Sequence, residues 1–164
     1  MLFRSTFVGY DISTYALARA HERLEQSGLT NATFADPRVA PLPTNHSVDL
    51  VTTFDCIHDM THPAQMMTSI RNALSDHGTW LLVDIKAHDS FSMNATKNPM
   101  ASLMYGISVL SCMSSAMSTP DGAGLGTLGL SAGTAEQMTR DAGFSQFHRL
   151  DVDHAVNAFY EIRP

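Results

Sequence analysis

Three short apolar runs within the first 55 residues each end on an aspartate, and this rhythm limits the fold more than any other feature of the chain. FVGY runs into Asp11, TFA into Asp36 and VDLVTTF into Asp55. Between the first two lies TYALARAHERLEQS, in which Leu17, Ala20 and Leu24 recur on one helical face, with Ser13 placed to cap the helix and Gly28 to stop it. A strand, an acid and a helix in that order form a crossover unit. Its repetition calls for an α/β fold, a parallel sheet with helices on both faces.

The later segments continue the pattern. VDLVTTF, residues 48–54, is rich in β-branched residues and apolar on successive positions, as expected of a strand covered on both faces. PAQMMTSIRNAL, residues 63–74, suits a helix that turns Met66, Met67, Ile70 and Leu74 inward. DHG then supplies a turn, and TWLLVDI, residues 79–85, a further buried strand. After Lys86 come a polar loop, a Met- and Ser-rich helical stretch over 99–117, the glycine cluster DGAGLGTLGLSAG and a helix over 134–142. SQFHRLDVD and NAFYEIRP close the chain as a hairpin-like pair, giving the sheet a C-terminal antiparallel strand. A length of 164 residues leads us to expect one compact domain, and no internal repeat divides it.

Charge and cysteine content exclude several classes of function. Ten Lys and Arg stand against sixteen Asp and Glu, a net charge of −6 with no basic run, so no direct nucleic-acid contact is expected. Cys56 and Cys112 permit one disulfide at most and form no CxxC pair, which points to reduced thiols in the cytoplasm. In MLFRSTFVGYD, Arg4, Ser5 and Asp11 interrupt the apolar core that a signal peptide needs. The stretch from Met100 to Met117 is shorter than the roughly 20 strongly apolar residues of a spanning helix, so no membrane association is expected.

Open α/β sheets bind ligands beyond the carboxyl ends of their strands. Asp11, Asp36 and FDCIHD, residues 54–59, fall there. Asp11 either accepts the two hydroxyls of a ribose or helps the helix to start. Asp36 either receives the exocyclic amine of an adenine or bonds turn N–H groups ahead of Pro37. His58 and His62, four apart with Asp59 between them, invite a metal reading, but zinc takes at least three protein ligands and spacing places no third one, so no metal is expected. As a general base His58 needs an orienting partner and a substrate proton within reach. The GAGLG cluster lacks the preceding strand and following helix of a phosphate cradle and reads as a connection lining a pocket. Met100, Met104, Met113 and Met117 read as core filling ahead of an adaptable pocket wall.

Taken in order, FVGYDIS, FAD, VDLVTTFDCIHDM, PAQMMTSIRNALSDHGTWLLVDI and AGFSQF resemble a class I S-adenosylmethionine-dependent methyltransferase. IHDM, DGAGLGT and NAFYEIRP are more particularly similar to the subgroup in which such a domain follows a winged-helix domain. The resemblance implies a Rossmann-like sheet, with residues 1–164 as a partial methyltransferase domain and 87–133 as a helical, glycine-rich insertion lining the acceptor pocket. It implies S-adenosylmethionine as cofactor and a small, apolar or aromatic acceptor. Asp11 would then bind the ribose and Ile12 the adenine, Asp36 and Pro37 would meet the adenine from the next strand, Phe54 and Asp55 would border the methionine end, and His58 would face the active centre as the catalytic residue.

The family's first strand and its acid-x-Gly-x-Gly motif should precede residue 1, so the sheet is expected to be N-terminally incomplete and cofactor binding by the chain as given weak or absent. Either the chain is a fragment, or a homodimer or a rearranged sheet covers the gap. Two other readings stand beside this one. A cofactor-sensing or structural domain linked to a DNA-binding region would perform no transfer. A nicotinamide-dependent oxidoreductase would use Asp11 equally well, but FDCIHDM and the late glycine cluster favour the methyl donor.

Overall fold

The computed structural model describes residues 5–164. The opening MLFR, part of the stretch read above as lacking a signal-peptide core, lies outside the described residues. The chain divides into two compact units, one ending at Leu42 and one spanning Pro43–Pro164, where length alone led to an expectation of one.

The first unit is a strand–helix–strand crossover: β1 (Phe7–Tyr10), α1 (Thr14–Ser27) and β2 (Ala32–Ala35). β1 and β2 pair in parallel, Phe7 opposite Ala32 and Tyr10 opposite Ala35. The helix starts where Ser13 Oγ accepts the Ala16 N–H at 3.2 Å, and it stops at Gly28, whose φ of 66° lies in the left-handed region that glycine enters without strain. Leu17, Ala20 and Leu24 share the inward face as their spacing predicts, yet they are only half-buried and no residue of α1 is fully buried.

The second unit is built on a four-stranded sheet of β3 (Val48–Phe54), β4 (Leu74–Ile85), β5 (Gln146–Arg149) and β6 (Asn157–Arg163). α2 (Pro63–Ala73) joins β3 to β4, and α3 (Phe91–Lys97), α4 (Ala101–Ile107), α5 (Met113–Ala116) and α6 (Ala132–Asp141) lie between β4 and β5 in the chain. The strand order is β3-β4-β6-β5, with β3 and β4 parallel and the other pairs antiparallel. The fold is thus α/β and Rossmann-like, with the antiparallel C-terminal strand that the sequence leads one to expect. The DHG turn takes the form of an irregularity inside β4, whose register against β3 jumps from Val48 opposite Leu74 to Leu50 opposite Thr79.

Trp80, Leu82 and Ile162 are buried in the sheet beside Met67, Ile70 and Ala73 of α2, so α2 turns inward the face that its periodicity marks. β3 differs from expectation. It is an edge strand of this sheet, flanked by β4 alone, and Leu50 and Phe54 are 57% and 59% exposed. Burial on both faces needs neighbours that a strand's own composition cannot specify.

The 99–117 stretch forms α4, a π-helical turn at Ser108–Cys112 and α5 in succession. Ala101 and Met104 pack with Leu128 against Ile85 and Val156, whereas Met100 and Met117 are exposed, so the methionine stripe fills the core only in part. Within the glycine cluster, Gly126 packs against the π-helical turn: a Cβ there would lie 2.4 Å from Ser108 Oγ, and Gly126 also has φ of 69°. Replacing Gly126 by alanine is therefore expected to cost about 1–3 kcal/mol. Replacing Gly106, which sits inside α4 with open space around it, is expected to stabilise by about 0.5–1 kcal/mol. Thermal denaturation of the two variants reads opposite shifts.

Candidate functional site

Asp11 follows β1 directly, and its N–H extends the pairing with β2 by bonding the Ala35 carbonyl at 3.2 Å. One carboxylate oxygen accepts the Ser13 N–H at 2.8 Å, which ties the strand end to the helix start. Asp11 and Ile12 are both exposed. Asp36 ends β2 and is engaged by Arg38, whose Nε donates to both carboxylate oxygens at 2.9 and 3.1 Å and whose Nη2 donates to Oδ2 at 2.6 Å. The Arg38 backbone N–H also donates to Asp36 Oδ1 at 2.9 Å, the turn bond weighed from sequence ahead of Pro37. These hydrogen bonds from Arg38 hold the Asp36 carboxyl below the usual carboxylate range. Arg38 Nη2 reaches the Ile12 carbonyl at 2.8 Å as well, so one guanidinium joins the carboxyl ends of β1 and β2. Sequence reasoning named Asp11, Ile12, Asp36 and Pro37 but not this arginine.

In the second unit the carboxyl end of β3 carries Phe54, exposed, and Asp55, whose φ of 48° is an uncommon left-handed conformation for a residue with a side chain. The Asp55 N–H donates to the Val83 carbonyl at 3.0 Å, and its carboxylate accepts from Asn157 Nδ2. This sharp exit leads into a short 3-10 turn, Ile57–Asp59, that sends His58 inward to 3% exposure.

His58 Nδ1 lies 2.5 Å from Oδ1 of Asp84, which sits near the end of β4 and is 1% exposed. A carboxylate can only accept, so Nδ1 carries the proton and Nε2 faces the other way. There it meets Asp59 Oδ1 at 3.1 Å and Cys112 Sγ at 3.6 Å. Cys112 Sγ lies 2.9 Å from Thr127 Oγ1, and the Thr127 N–H donates to Ser108 Oγ at 3.1 Å.

Burial works against the charged imidazolium, but the hydrogen bond and charge of Asp84, with Asp59 and Asp55 behind them, outweigh it and hold the His58 pKa above its ordinary value. Burial and the neighbouring Asp84 push the Cys56 thiol up to about 11. Burial and Asp59 push the Cys112 thiol upward too. Both shifts favour the neutral thiol over the thiolate in this environment.

His58 was legible as a residue at a strand end, but its partners were not. Asp84 could have been found by the same sign as Asp11, Asp36 and Asp55, an apolar run ending in an acid. Cys112 and Thr127 carry no such local mark. Among the described residues no helix is long and apolar enough to cross a membrane.

A family model described as a methyltransferase domain matches residues 1–153. No curated protein sequence matches the chain. Among solved structures, the CMeT domain of the citrinin polyketide synthase superposes with a TM-score of 0.69 at 14% identity, over 96% of this chain and 38% of that one. The trans-methyltransferase CalH, in complex with SAH, gives 0.63 at 16% identity, over 96% and 41%. A SAM-dependent methyltransferase from Aquifex aeolicus gives 0.61 at 16%, over 97% and 69%. These identities show likeness of fold, and the chain spans less than half the length of the first two structures.

Proposed function

The chain belongs to the methyltransferase-domain family, and from that premise we propose that it transfers a methyl group from S-adenosylmethionine to a small, apolar or aromatic acceptor that gives up a proton in the reaction. The observation that carries this reading is the buried Asp84–His58 pair at the carboxyl ends of β4 and β3. When bound, that cofactor supplies a methyl group attached to a positively charged sulfonium. Much of the rate then comes from holding the acceptor close and in line, and a protein base is needed only where the acceptor arrives protonated.

The chain's own residues fit such a ligand unevenly. Asp11 uses one carboxylate oxygen on Ser13 and keeps acceptor capacity for ribose hydroxyls, with the exposed Ile12 beside it for the adenine. Pro37 offers an apolar contact, whereas both oxygens of Asp36 are held by Arg38 and the adenine amine would have to compete with it. Phe54 is exposed for the methionine end, and Asp55 holds the turn out of β3.

His58 receives the acceptor's proton at Nε2, and Asp84 keeps the ring in one tautomer and stabilises the imidazolium that forms. Asp59, whose side chain is 37% exposed, lies 3.1 Å from Nε2. The insertion at 87–133 lines the acceptor side, supported by the absence of any charged residue from Pro99 to Met117.

The placement in the winged-helix subgroup, on IHDM, DGAGLGT and NAFYEIRP, belongs to this proposal, as do a reducing cytoplasmic setting, supported by two free thiols, and the absence of direct nucleic-acid contact. Calorimetry of the full-length protein with S-adenosylhomocysteine tests the cofactor assignment. A saturable heat is expected, weakened about ten- to a hundredfold by Asp11→Ala, as suits lost hydrogen bonds to a charged group. An absence of heat in the unaltered protein would sink the reading.

A further inference from the structure

We propose that His58 Nε2, Asp59 Oδ1 and Cys112 Sγ form a binding site for a divalent cation of the zinc class. The donor atoms of these three residues lie within 4.8 Å of one another. Nε2 stands 3.1 Å from Asp59 Oδ1 and 3.6 Å from Cys112 Sγ. Tetrahedral zinc, with bonds of about 2.0–2.2 Å to nitrogen and oxygen and 2.3 Å to sulfur, sets adjacent ligand atoms roughly 3.3–3.6 Å apart. The two separations from Nε2 are thus near coordination spacing, and the third lies within 4.8 Å.

The chemistry of the donors selects the ion. One imidazole, one carboxylate and one thiol make a set of intermediate softness that suits zinc, whereas calcium and magnesium take oxygen ligands. The outer contacts are those that a metal-binding histidine requires: Asp84 accepts from Nδ1 at 2.5 Å, which fixes the ring and aims the Nε2 lone pair at the other two donors. Thr127 Oγ1, 2.9 Å from Cys112 Sγ, does the same for the sulfur.

Two further observations point to a cation here. Asp59 Oδ1 and Asp84 Oδ2 are both shielded from solvent with no hydrogen-bond partner. Among the described residues, the only ion-pair partner of either carboxylate is His58, so at most one positive charge faces two negative ones. The π-helical turn at Ser108–Cys112 buries Cys112 and Ser108 on the side facing His58 and Thr127, a local distortion of the kind that recurs at functional sites. The pair His58 and His62, which spacing alone had offered, is not the set the fold assembles.

Binding forms a metal–sulfur bond in place of the Cys112 S–H bond and releases that proton to solvent, together with any proton held at Nε2. Three protein ligands leave a fourth position open to water. A cation on Nε2 also occupies the lone pair that would take the acceptor's proton, so it would inhibit methyl transfer. That consequence alone rests on the proposed function.

Cobalt(II) titration of the full-length reduced protein tests the site, since cobalt reports thiolate ligation by a near-ultraviolet charge-transfer absorption and tetrahedral geometry by intense visible bands. One equivalent is expected to produce both, and zinc to displace them. Cys112→Ser is expected to abolish the charge-transfer band, Cys56→Ser to retain it, and Asp84→Asn to weaken zinc binding by about 10–100-fold. No thiolate band in the unaltered protein, or an unchanged band in a folded Cys112→Ser variant, overturns the proposal. The unaltered protein by itself shows or lacks the band, so a variant that fails to fold leaves the test intact. With transfer assayed on metal-free protein, a cobalt band on titration without transfer would retain the metal site and remove the transferase reading; transfer without a cobalt band would do the reverse.

Discussion

His58→Ala is expected to lower methyl transfer by about 10²–10⁴-fold while leaving the affinity for S-adenosylhomocysteine close to that of the unaltered protein. The split follows from what the imidazole touches. Its polar contacts are Asp84, Asp59 and Cys112, all within the second unit, whereas the ribose and adenine are assigned to residues of the first. Loss of the ring therefore removes a proton acceptor rather than a cofactor contact. Asp84→Asn should lower the rate in the same direction, since an amide at this position no longer enforces the Nδ1–H tautomer that leaves the lone pair on Nε2.

The pair should also behave as a unit. Adding Asp84→Asn to His58→Ala is expected to cost far less than Asp84→Asn alone, because Asp84 has no ring left to orient. Full additivity would give Asp84 a separate task. His58→Ala also leaves the Asp84 carboxylate buried without its charge partner, which is destabilising by about 3–5 kcal/mol in comparable pairs, so rates must be expressed per folded molecule. His58→Gln keeps a polar side chain beside Asp84 and separates the loss of proton acceptance from the loss of fold.

Trp80→Ala is expected to be the most destabilising single change in the sheet. Trp80 is fully buried in β4, its Nε1 donates to Thr53 Oγ1 of β3 at 2.9 Å, and its ring lies 5.6 Å, centroid to centroid, from Phe144. Truncation removes the aromatic contact, opens a cavity and strands the Thr53 hydroxyl. Such changes cost about 3–5 kcal/mol, a large part of the roughly 5–15 kcal/mol that holds a domain together. The melting temperature should fall by roughly 6–20 °C. Leu110→Ala is the contrast: the side chain is 84% exposed, and a shift within about 0.5 kcal/mol is expected. Similar melting temperatures for the two variants would contradict the placement of the core around Trp80.

The parts of this fold that local chemistry dictates were legible in the sequence. α1 runs from Thr14 to Ser27 as its periodicity predicts, because Ser13 and Gly28 punctuate it with caps that need no distant partner. β3 keeps the predicted bounds for a similar reason, a β-branched run closed by Asp55. α6 begins at Ala132, two residues earlier than expected, because Ser131 accepts the Thr134 N–H and caps the helix inside the glycine-rich segment. What failed was whatever depends on neighbours. The exposure of Leu50 and Phe54 is set by which strands flank β3, and the apolar run itself says nothing of that.

The site divides along the same line. His58 could be singled out because it follows a strand, but its meaning came from Asp84, 26 positions away, and Cys112, 54 positions away. The first is delivered by parallel pairing of β3 with β4, and the second by a π-helical turn that no propensity marks. On the other unit, Arg38 lies two residues from Asp36, but its reach to the Ile12 carbonyl depends on the pairing of β1 with β2.

The most direct measurement is transfer of a radiolabelled methyl group from S-adenosylmethionine to small aromatic acceptors bearing an ionisable hydroxyl, by the full-length protein and by its His58→Ala variant. Labelled product from the unaltered protein is expected, falling by about 10²–10⁴-fold in a variant that still binds S-adenosylhomocysteine. Undiminished product from the variant, or no product from a protein that binds the cofactor, would contradict the assignment of the Asp84–His58 pair as the proton-accepting centre of a methyltransferase.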